Sequence, residues 1–226
     1  MTTLYFDIET LPADESSFEK LRYLFERKRE KDAKKNKGEE KSDSKSFEDY
    51  VDKTGLDGGF GRVLCIAYAI DDKPVEVLCN DGNKQNSGEK KTLEEFWNIA
   101  KDCDLFVGHN IMNFDFRFIM QRSIILGVKP TWQNRDMRAP KYLSFARYRN
   151  YPIYDTMCEW ICWGENKNSS LEYVALALDI PTPKEGIDGS QVARVYAEEG
   201  PQRICEYCKR DVETTRKVYK RMTFGV

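Results

Sequence analysis

Leu4-Tyr5-Phe6-Asp7-Ile8-Glu9-Thr10, near the start of the chain, is the stretch that decides the fold. Its apolar and aromatic residues predict a β-strand. Because residues two apart on a strand point to the same face, Asp7 and Glu9 project together. Two neighbouring carboxylates repel and hold their protons more tightly unless a cation neutralises them. The stretch alone leaves two interpretations open, a divalent-metal site or a strand end whose acids reach solvent.

A third acidic residue is delivered by a loop in the middle of the chain. Leu105-Phe106-Val107-Gly108 predicts a strand, and a polar loop follows it. The loop leads to Asp115 at the start of a helix from about Phe114 to Leu126, which Gly127 closes. A carboxylate in a first helical turn is also a common capping device, so Asp115 alone is weak evidence for a site.

The final helix, predicted over about 201–222, carries the third arrangement. Tyr207 and Asp211 are four residues apart, which places them on one helical face. The ordinary interpretation of that spacing is a surface pair. The unusual observation is that all three arrangements occur in order within one chain of this length.

The remaining pattern predicts a single α/β domain over residues 1–226. Residues 62–70 are typical of a buried strand, and a hairpin turn leads to a second strand at 75–78. Thr92 with Glu95 predicts the start of the next helix. Three or four strands come first and the second half is mainly helical, so we expect a sheet flanked by helices, with a helical C-terminal half.

A charged insertion at about 19–55 interrupts this pattern. Its first residues have apolar side chains at helical spacing, which predicts a short helix running into a mobile polar arm. One interpretation is a solvated insertion, and the other is an electrostatic arm for phosphates. Acidic and basic residues are nearly balanced there, which favours the solvated insertion.

Composition indicates a soluble cytoplasmic protein without a membrane partner. Charged residues make up 33% of the chain and the mean hydropathy is -0.67. No apolar run approaches the roughly 20 residues of a membrane helix, and we expect no secretion signal. The seven cysteines are expected to be reduced. With a net charge of -2, any basic footprint for nucleic acid would have to be local.

The three motifs together resemble those of the DEDD exonucleases, a DnaQ-like branch of the ribonuclease H-like proteins. Phe6 to Thr10 resembles the first motif of that family. GHNIMNFDFRFI, at residues 108–119, is similar to the second motif of the proofreading domain of family B DNA polymerases. Tyr207-x-x-x-Asp211 matches the third motif in its tyrosine form, DEDDy, since the histidine form would need His where this chain has Glu206. The resemblance implies a ribonuclease H-like mixed sheet, and we expect a stand-alone relative of the polymerase exonuclease.

The resemblance also implies a two-metal reaction. Asp7, Glu9, Asp115 and Asp211 would hold two divalent cations, Mg²⁺ or Mn²⁺, because these hard ions prefer oxygen ligands. Such ions activate a water and stabilise the leaving 3′-oxygen. Tyr207 would orient the attacking water. The expected products are nucleoside 5′-monophosphates.

Substrate contacts follow from the same resemblance. Those implied by motif position are Thr10, Leu11, Asn110 and Phe114. The stretch from Lys129 to Tyr151 also interleaves aromatic and basic residues. Its rings could stack on bases, or they could lie in the core with the arginines in solvent, and both interpretations stay open.

The expected function is hydrolysis of DNA, preferably single-stranded, from its 3′ end. Three alternatives stay open: an exoribonuclease that trims RNA ends, a catalytically inactive nucleic-acid-binding module of the same fold, and a phosphoesterase for small nucleotides. The complete set of carboxylates argues against the binding module, because a pure binder of polyanions has no use for concentrated negative charge.

Cys205-x-x-Cys208 suggests either a zinc site or two small buried residues. Both cysteines lie within the predicted last helix, on a face shared with Val212 and away from Tyr207 and Asp211. Zinc loops normally avoid continuous helix, so the buried interpretation is favoured.

Overall fold

A mixed sheet of five strands, in the order β3-β2-β1-β4-β5, forms the centre of the computed structural model. The structure describes residues 1–35, 46–80, 87–130, 152–164, 168–182 and 189–225. The strands are β1 Thr3–Leu11, β2 Arg62–Ile70, β3 Glu76–Cys79, β4 Leu105–Gly108 and β5 Ile153–Asp155. β2 is antiparallel to both β1 and β3, whereas β4 is parallel to β1 and β5 to β4. The predicted mixed sheet is confirmed, and β5 forms within residues 151–155, where the sequence predicts a short extended segment.

Eight α-helices flank the sheet within the described ranges. They are α1 Phe18–Lys35, α2 Phe47–Asp52, α3 Ser87–Ala100, α4 Asp115–Leu126, α5 Thr156–Trp160, α6 Leu171–Ala177, α7 Val192–Glu199 and α8 Gln202–Met222. α4 ends as predicted, because Gly127 adopts φ +67° and its N–H bonds the helix carbonyls. No helix of the described part of the chain is both long and apolar enough to cross a membrane.

The two faces of β1 are buried against different helices, which sets the position of its acids. Leu4, Phe6 and Ile8 lie in a core shared with α3 and α4. Tyr5 and Leu11 lie in a second core, shared with α7 and α8. Since side chains alternate along a strand, Asp7 and Glu9 point to the α8 side of the sheet.

The insertion is more ordered than the sequence predicts. α1 has 18 residues instead of a short segment, and residues 47–56, expected in a mobile arm, form α2 and a 3₁₀ turn. The reason is an aromatic cluster between the two helices. The ring centroids of Phe47 lie 5.9 Å from Phe18 and 5.7 Å from Phe25, and Phe25 also packs on Tyr50.

The start of α3 differs from the prediction. The helix begins at Ser87, and Thr92 lies inside it with its hydroxyl donating to the carbonyl of Gly88. The first turn is held by a buried ion pair instead. Both carboxylate oxygens of Glu89 accept hydrogen bonds of 2.8 Å from the guanidinium of Arg122 on α4, and Oε1 also accepts the N–H of Val63. This pair ties α3, α4 and β2 together.

Candidate functional site

Three of the four predicted acids form one cluster between β1 and α8. Carboxylate oxygens of Asp7, Glu9 and Asp211 all lie within 4.8 Å of one another. Asp7 and Glu9 come from the central strand β1, and Asp211 comes from the third turn of α8, which packs across it. All three side chains are partly accessible from solvent. The face of β1 predicted from sequence is therefore the face on which the cluster forms.

Asp115 joins this cluster from the opposite layer of the molecule. It is the first residue of α4, is 3% exposed, and its Oδ1 accepts a 3.0 Å hydrogen bond from the N–H of Ile8. Ile8 separates the two acids of β1, so this bond fixes Asp115 next to both of them. The contact requires the turn after β4 to be tight. A Cβ on Gly108 would lie 1.9 Å from Ile111 and 3.0 Å from the carbonyl oxygen of Phe6.

The charges of the cluster destabilise one another. Burial raises the pKa of Asp7 well above its usual range, and the carboxylates of Asp115, Asp211 and Glu9 raise it further. Burial also raises the pKa of Glu9, with the charges of Asp211 and Asp115 adding to it. Without a cation, the charged forms of Asp7 and Glu9 are therefore disfavoured.

The other two acids are perturbed less, because each has a partner that favours its charged form. Burial raises the pKa of Asp115 to about 7, against the hydrogen bond from Ile8. Burial raises the pKa of Asp211 to about 6, against the hydrogen bond from Tyr207 and the charge of Arg210. The four carboxyl groups thus share a site in which full ionisation is unfavourable unless positive charge is supplied.

Tyr207 lies one helical turn before Asp211 and donates a hydrogen bond to its carboxylate. Burial raises the pKa of the Tyr207 hydroxyl far above its ordinary value, and the charges of Asp211, Glu9 and Asp7 raise it further. The hydroxyl is consequently protonated at neutral pH. It can donate or accept a hydrogen bond, but it cannot serve as a base.

The donor set fits a hard divalent cation. It consists of carboxylate oxygens only, their raised pKa values indicate uncompensated negative charge, and partial exposure leaves a path for an ion. Binding of Mg²⁺ or Mn²⁺ would lower all four pKa values toward their usual range. Zinc would be a poorer match, since it prefers nitrogen and sulfur ligands.

Asp155, at the end of β5, holds the loop that delivers Asp115. Its Oδ1 accepts the N–H of Asn110 at 2.9 Å and its Oδ2 accepts the N–H of Met112 at 3.0 Å. Oδ1 also caps α5 by accepting the N–H groups of Met157 and Cys158. The capping position could be predicted from the sequence, but the two bonds to the loop could not.

His109, the only histidine of the chain, is a second anchor of the same loop. Its Nε2 lies 2.7 Å from the carbonyl oxygen of Ser169 and its Nδ1 lies 3.0 Å from Oγ1 of Thr156. Burial lowers the pKa of His109, so the ring is neutral at neutral pH. Nε2 then carries the proton that Ser169 accepts, and the ring holds the loop instead of transferring protons.

Cys208 lies beside the acids, contrary to the predicted direction of its helical face. Both Cys205 and Cys208 are buried, as predicted. The thiol of Cys208, however, lies 3.3 Å from Oδ2 of Asp7 and 3.4 Å from the Asp7 carbonyl oxygen. The reason is that α8 lies directly on β1, so side chains about 100° from Tyr207 still reach the strand. Cys208 is thus a neighbour of the site that the sequence pattern had excluded.

The predicted substrate contacts lie around the acids, and their role stays a prediction. Thr10 uses its hydroxyl to donate a 2.6 Å hydrogen bond to the carbonyl of Gly55, and Leu11 is buried in the core. Asn110 adopts φ +62° in the loop, and Phe114 is partly buried before α4. The aromatic and basic stretch from Lys129 to Tyr151 lies, from residue 131 onward, outside the described residues.

Comparison with known proteins identifies this arrangement. Residues 56–225 match the family described as "Predicted 3'-5' exonuclease related to the exonuclease domain of PolB". The uncharacterized protein MJ0365 of Methanocaldococcus jannaschii is 24% identical over 184 residues, which cover 75% of this chain and 90% of that protein.

Two DNA polymerases are similar over part of their length. The DNA polymerase of Desulfurococcus sp. (strain Tok) is 26% identical over 181 residues, covering 74% of this chain and 23% of the polymerase. The family B DNA polymerase of Pyrobaculum calidifontis superposes with a TM-score of 0.58 at 17% identity, covering 99% of this chain and 24% of that one. This chain therefore spans about a quarter of either polymerase, and the likeness in structure shows a common ribonuclease H-like fold.

Proposed function

Because the chain belongs to the family of predicted 3′-5′ exonucleases related to the exonuclease domain of PolB, we propose that it is a metal-dependent exonuclease. It would hydrolyse phosphodiester bonds from the 3′ end of a DNA strand, preferably single-stranded, and release nucleoside 5′-monophosphates. The observation that carries the proposal is the carboxylate cluster of Asp7, Glu9 and Asp211, with Asp115 fixed against β1. A phosphate-binding surface without chemistry would gain nothing from this charge.

The four carboxylates would hold two divalent cations, Mg²⁺ or Mn²⁺. When bound, such cations supply Lewis-acid activation of water and stabilise the charge of a leaving 3′-oxygen. The chain's own contribution is to fix its oxygen ligands before substrate arrives. Asp115 is fixed by the N–H of Ile8 at the start of α4. This preorganisation lowers the reorganisation needed during the reaction.

Tyr207 would orient the attacking water through its hydroxyl. Its pKa is raised so far that the group stays neutral throughout the working range of the enzyme. A neutral hydroxyl bonded to Asp211 has a defined direction and a lone pair left to accept a hydrogen bond from water. Asp211 would therefore both contribute to the metal site and position Tyr207.

The test is a time course on 5′-labelled strands of one sequence, as DNA and as RNA, with Mg²⁺, Mn²⁺ or EDTA. We expect a ladder that shortens from the 3′ end, requires the metal, and forms faster on DNA. Asp115→Asn should slow it by roughly 10²-fold or more, because the substitution removes a metal-binding charge without changing the side-chain shape. Asp102→Asn is the matched control, since Asp102 is exposed and lies outside the site.

Each outcome of this test separates two functions. Faster shortening of the RNA strand would show that RNA, and not DNA, is the preferred substrate of the same hydrolysis. Intact strands in every metal, from protein with a normal thermal transition, would contradict the exonuclease. Hydrolysis that Asp115→Asn does not slow would mean that another site, or a contaminating enzyme, performs it.

A further inference from the structure

Helix α1 of the insertion is a strongly charged surface outside the carboxylate site. It contains eight basic and four acidic residues, a net charge of +4 in a chain whose total is -2. The balance of charge expected for the insertion therefore does not hold within this helix. Every side chain from Glu26 to Lys34 is exposed, so the second half of α1 buries little surface, although Lys28 lies 5.8 Å from the ring centroid of Tyr50.

Four of the eight basic residues of α1 lie on one face of the helix. At 100° per residue, Lys20, Arg27, Lys31 and Lys34 fall within one stripe about 60° wide. We name these four residues the basic stripe. The acids Glu19, Glu26 and Glu30 fall on a second stripe about 90° away, which we name the acidic stripe.

The basic stripe faces away from the core of the insertion. Phe18, Leu21 and Phe25 are the side chains that α1 packs against α2, and their mean direction is about 140° from the stripe. Lys20 and Arg27 are correspondingly exposed. Burial does not explain the arrangement, because none of the four cations covers the aromatic cluster.

Ion pairing does not explain the arrangement either. The ion pairs found across the described ranges do not include any residue of the basic stripe. Arg27 and Lys31 are four residues apart, a spacing at which like charges destabilise an isolated helix. A helix designed only for solubility would alternate the two signs at this spacing. The stripe instead concentrates positive charge that is not ion-paired within the described residues, which suits an external anionic partner.

Aromatic and geometric features favour a nucleic-acid strand as that partner. Tyr23 borders the stripe with 59% of its surface exposed, and Arg27 lies 5.7 Å from its ring centroid and donates to its hydroxyl at 3.3 Å. An exposed ring between cations can stack on a base while the cations meet phosphates. From Lys20 to Lys34 the stripe is about 21 Å long, enough for several phosphates of one strand.

The insertion is attached at the edge of the sheet that carries the acids. α1 begins a few residues after β1, and Thr10, next to Glu9, donates to the carbonyl of Gly55 at 2.6 Å. The N–H of Ala13 is bonded to the hydroxyl of Thr54 at 2.8 Å. These two bonds fix the 3₁₀ turn at the end of the insertion against the end of β1, the strand that also carries Asp7 and Glu9.

We propose that the basic stripe of α1 binds the phosphates of a nucleic-acid strand whose 3′ end lies at the carboxylate site. The proposal rests on the proposed function for the identity of the strand. It adds a contact distant from the reacting bond, so it predicts a preference for long strands over short ones. It also accounts for nucleic-acid binding by a chain with a negative net charge, because the positive charge is local.

The test compares two variants of α1, each of which removes the charges of one stripe. The first variant changes Lys20, Arg27, Lys31 and Lys34 to Gln, and the matched control changes Glu19, Glu26 and Glu30 to Gln. Glutamine keeps the helix propensity of either residue type, and circular dichroism checks folding. Binding to fluorescent DNA strands of 4 and 24 nucleotides is measured by anisotropy in EDTA, over a range of salt concentrations.

We expect the basic-stripe variant to bind the 24-mer at least tenfold more weakly at low salt. The slope of log K against log salt should fall by about 2 to 3, since each lost phosphate contact removes about 0.7 for a single strand. The preference of kcat/KM for the 24-mer over the 4-mer should fall in parallel. The acidic-stripe control should bind as tightly as the parent or more tightly.

Three results would overturn the proposal: unchanged affinity of the basic-stripe variant, equal weakening in the control, or displacement of the strand by polyglutamate of equal charge at equal concentration. The last would indicate an acidic protein as the partner. If the parent cleaves no strand but its binding depends on the basic stripe, the proposed exonuclease activity is wrong and the proposed binding surface is confirmed. If the parent cleaves strands but the basic stripe is not needed for binding, the proposed binding surface is wrong and the proposed exonuclease activity is confirmed.

Discussion

At the scale of single residues, Tyr207 and Asp211 illustrate how one hydrogen bond serves two groups. The hydroxyl of Tyr207 stabilises the charged form of Asp211, and the carboxylate in turn keeps the hydroxyl protonated. A substitution of Tyr207 should therefore affect orientation and leave the metal ligands in place.

Tyr207→Phe removes only the hydroxyl oxygen. We expect kcat to fall by roughly 10- to 100-fold while KM changes little, because water loses its orienting partner but the substrate contacts are kept. Mn²⁺ affinity, measured by calorimetry, should stay within a few-fold of the parent. A loss of Mn²⁺ binding as large as the loss of kcat would contradict the positioning role and indicate a structural one.

The residues of the site could be predicted to different extents. Asp7 and Glu9 follow from strand alternation, and Tyr207 with Asp211 from helical spacing, since both patterns are local. The role of Asp155 is not local. It depends on the parallel register in which Gly108 is opposite Asp155, which brings the carboxylate to the loop after β4. The contact of Cys208 with Asp7 likewise depends on how closely α8 packs on β1.

At the scale of elements, the loop between β4 and α4 is held from outside by β5. Asp155→Asn should weaken the hold of β5 on this loop. In the parent both carboxylate oxygens accept backbone N–H groups of the loop, whereas an amide has one oxygen that accepts and an NH₂ group that cannot. We expect a loss of about 2–4 kcal/mol in the free energy of unfolding, measured by urea denaturation, and a lower kcat.

The matched control for this loop is Ser170→Ala. Ser170 caps α6 by accepting the N–H of Tyr173 with its hydroxyl oxygen. Ser170→Ala should lower the free energy of unfolding by about 1 kcal/mol and leave kcat unchanged. If Asp155→Asn costs no more than Ser170→Ala, the bonds to Asn110 and Met112 contribute little, and the loop would be held by His109 alone.

The start of α3 shows why a local capping signal can fail. Thr92 and Glu95 have the spacing of a capping box, yet the helix begins at Ser87. Glu89, in its first turn, is paired with Arg122 on another helix and with the N–H of Val63. A long-range pair of this kind has no signature in a window of a few residues, so the sequence predicts a later start.

The buried pair itself can be tested by a double-mutant cycle. Glu89→Gln should lower the free energy of unfolding by about 3–5 kcal/mol, because it leaves the charge of Arg122 buried without a carboxylate. Glu89→Gln combined with Arg122→Met should cost less than the sum of the two single variants. Additive costs, measured by urea denaturation, would show that the two groups do not depend on each other.

At the scale of the whole molecule, the four acids link stability to pH and to metal. The pKa values of Asp115 and Asp211 are raised in the folded state to about 7 and about 6, from 3.8. The folded protein therefore binds more protons than the unfolded chain between about pH 4 and 7. Stability must fall as pH rises through this window.

We expect the melting temperature of the metal-free protein to fall by roughly 5–10 °C between pH 5 and pH 8. Mn²⁺ should reverse most of the fall, because it compensates the charges and binds only the folded state. Asp115→Asn should flatten the dependence in EDTA. Scanning calorimetry with and without metal is the measurement, and a metal-free protein whose melting temperature rises over this range would contradict the interpretation of the cluster.

The distance along the chain between the parts of the site has a consequence for synthesis. Asp7 is on the first strand, and its neighbour Cys208 follows 201 positions later on α8, which also carries Tyr207 and Asp211. A nascent chain on the ribosome, or a fragment cut before α8, thus contains only part of the constellation. The proposed cutting activity would arise only when α8 docks on β1, so unfinished copies would be harmless to the nucleic acids around them.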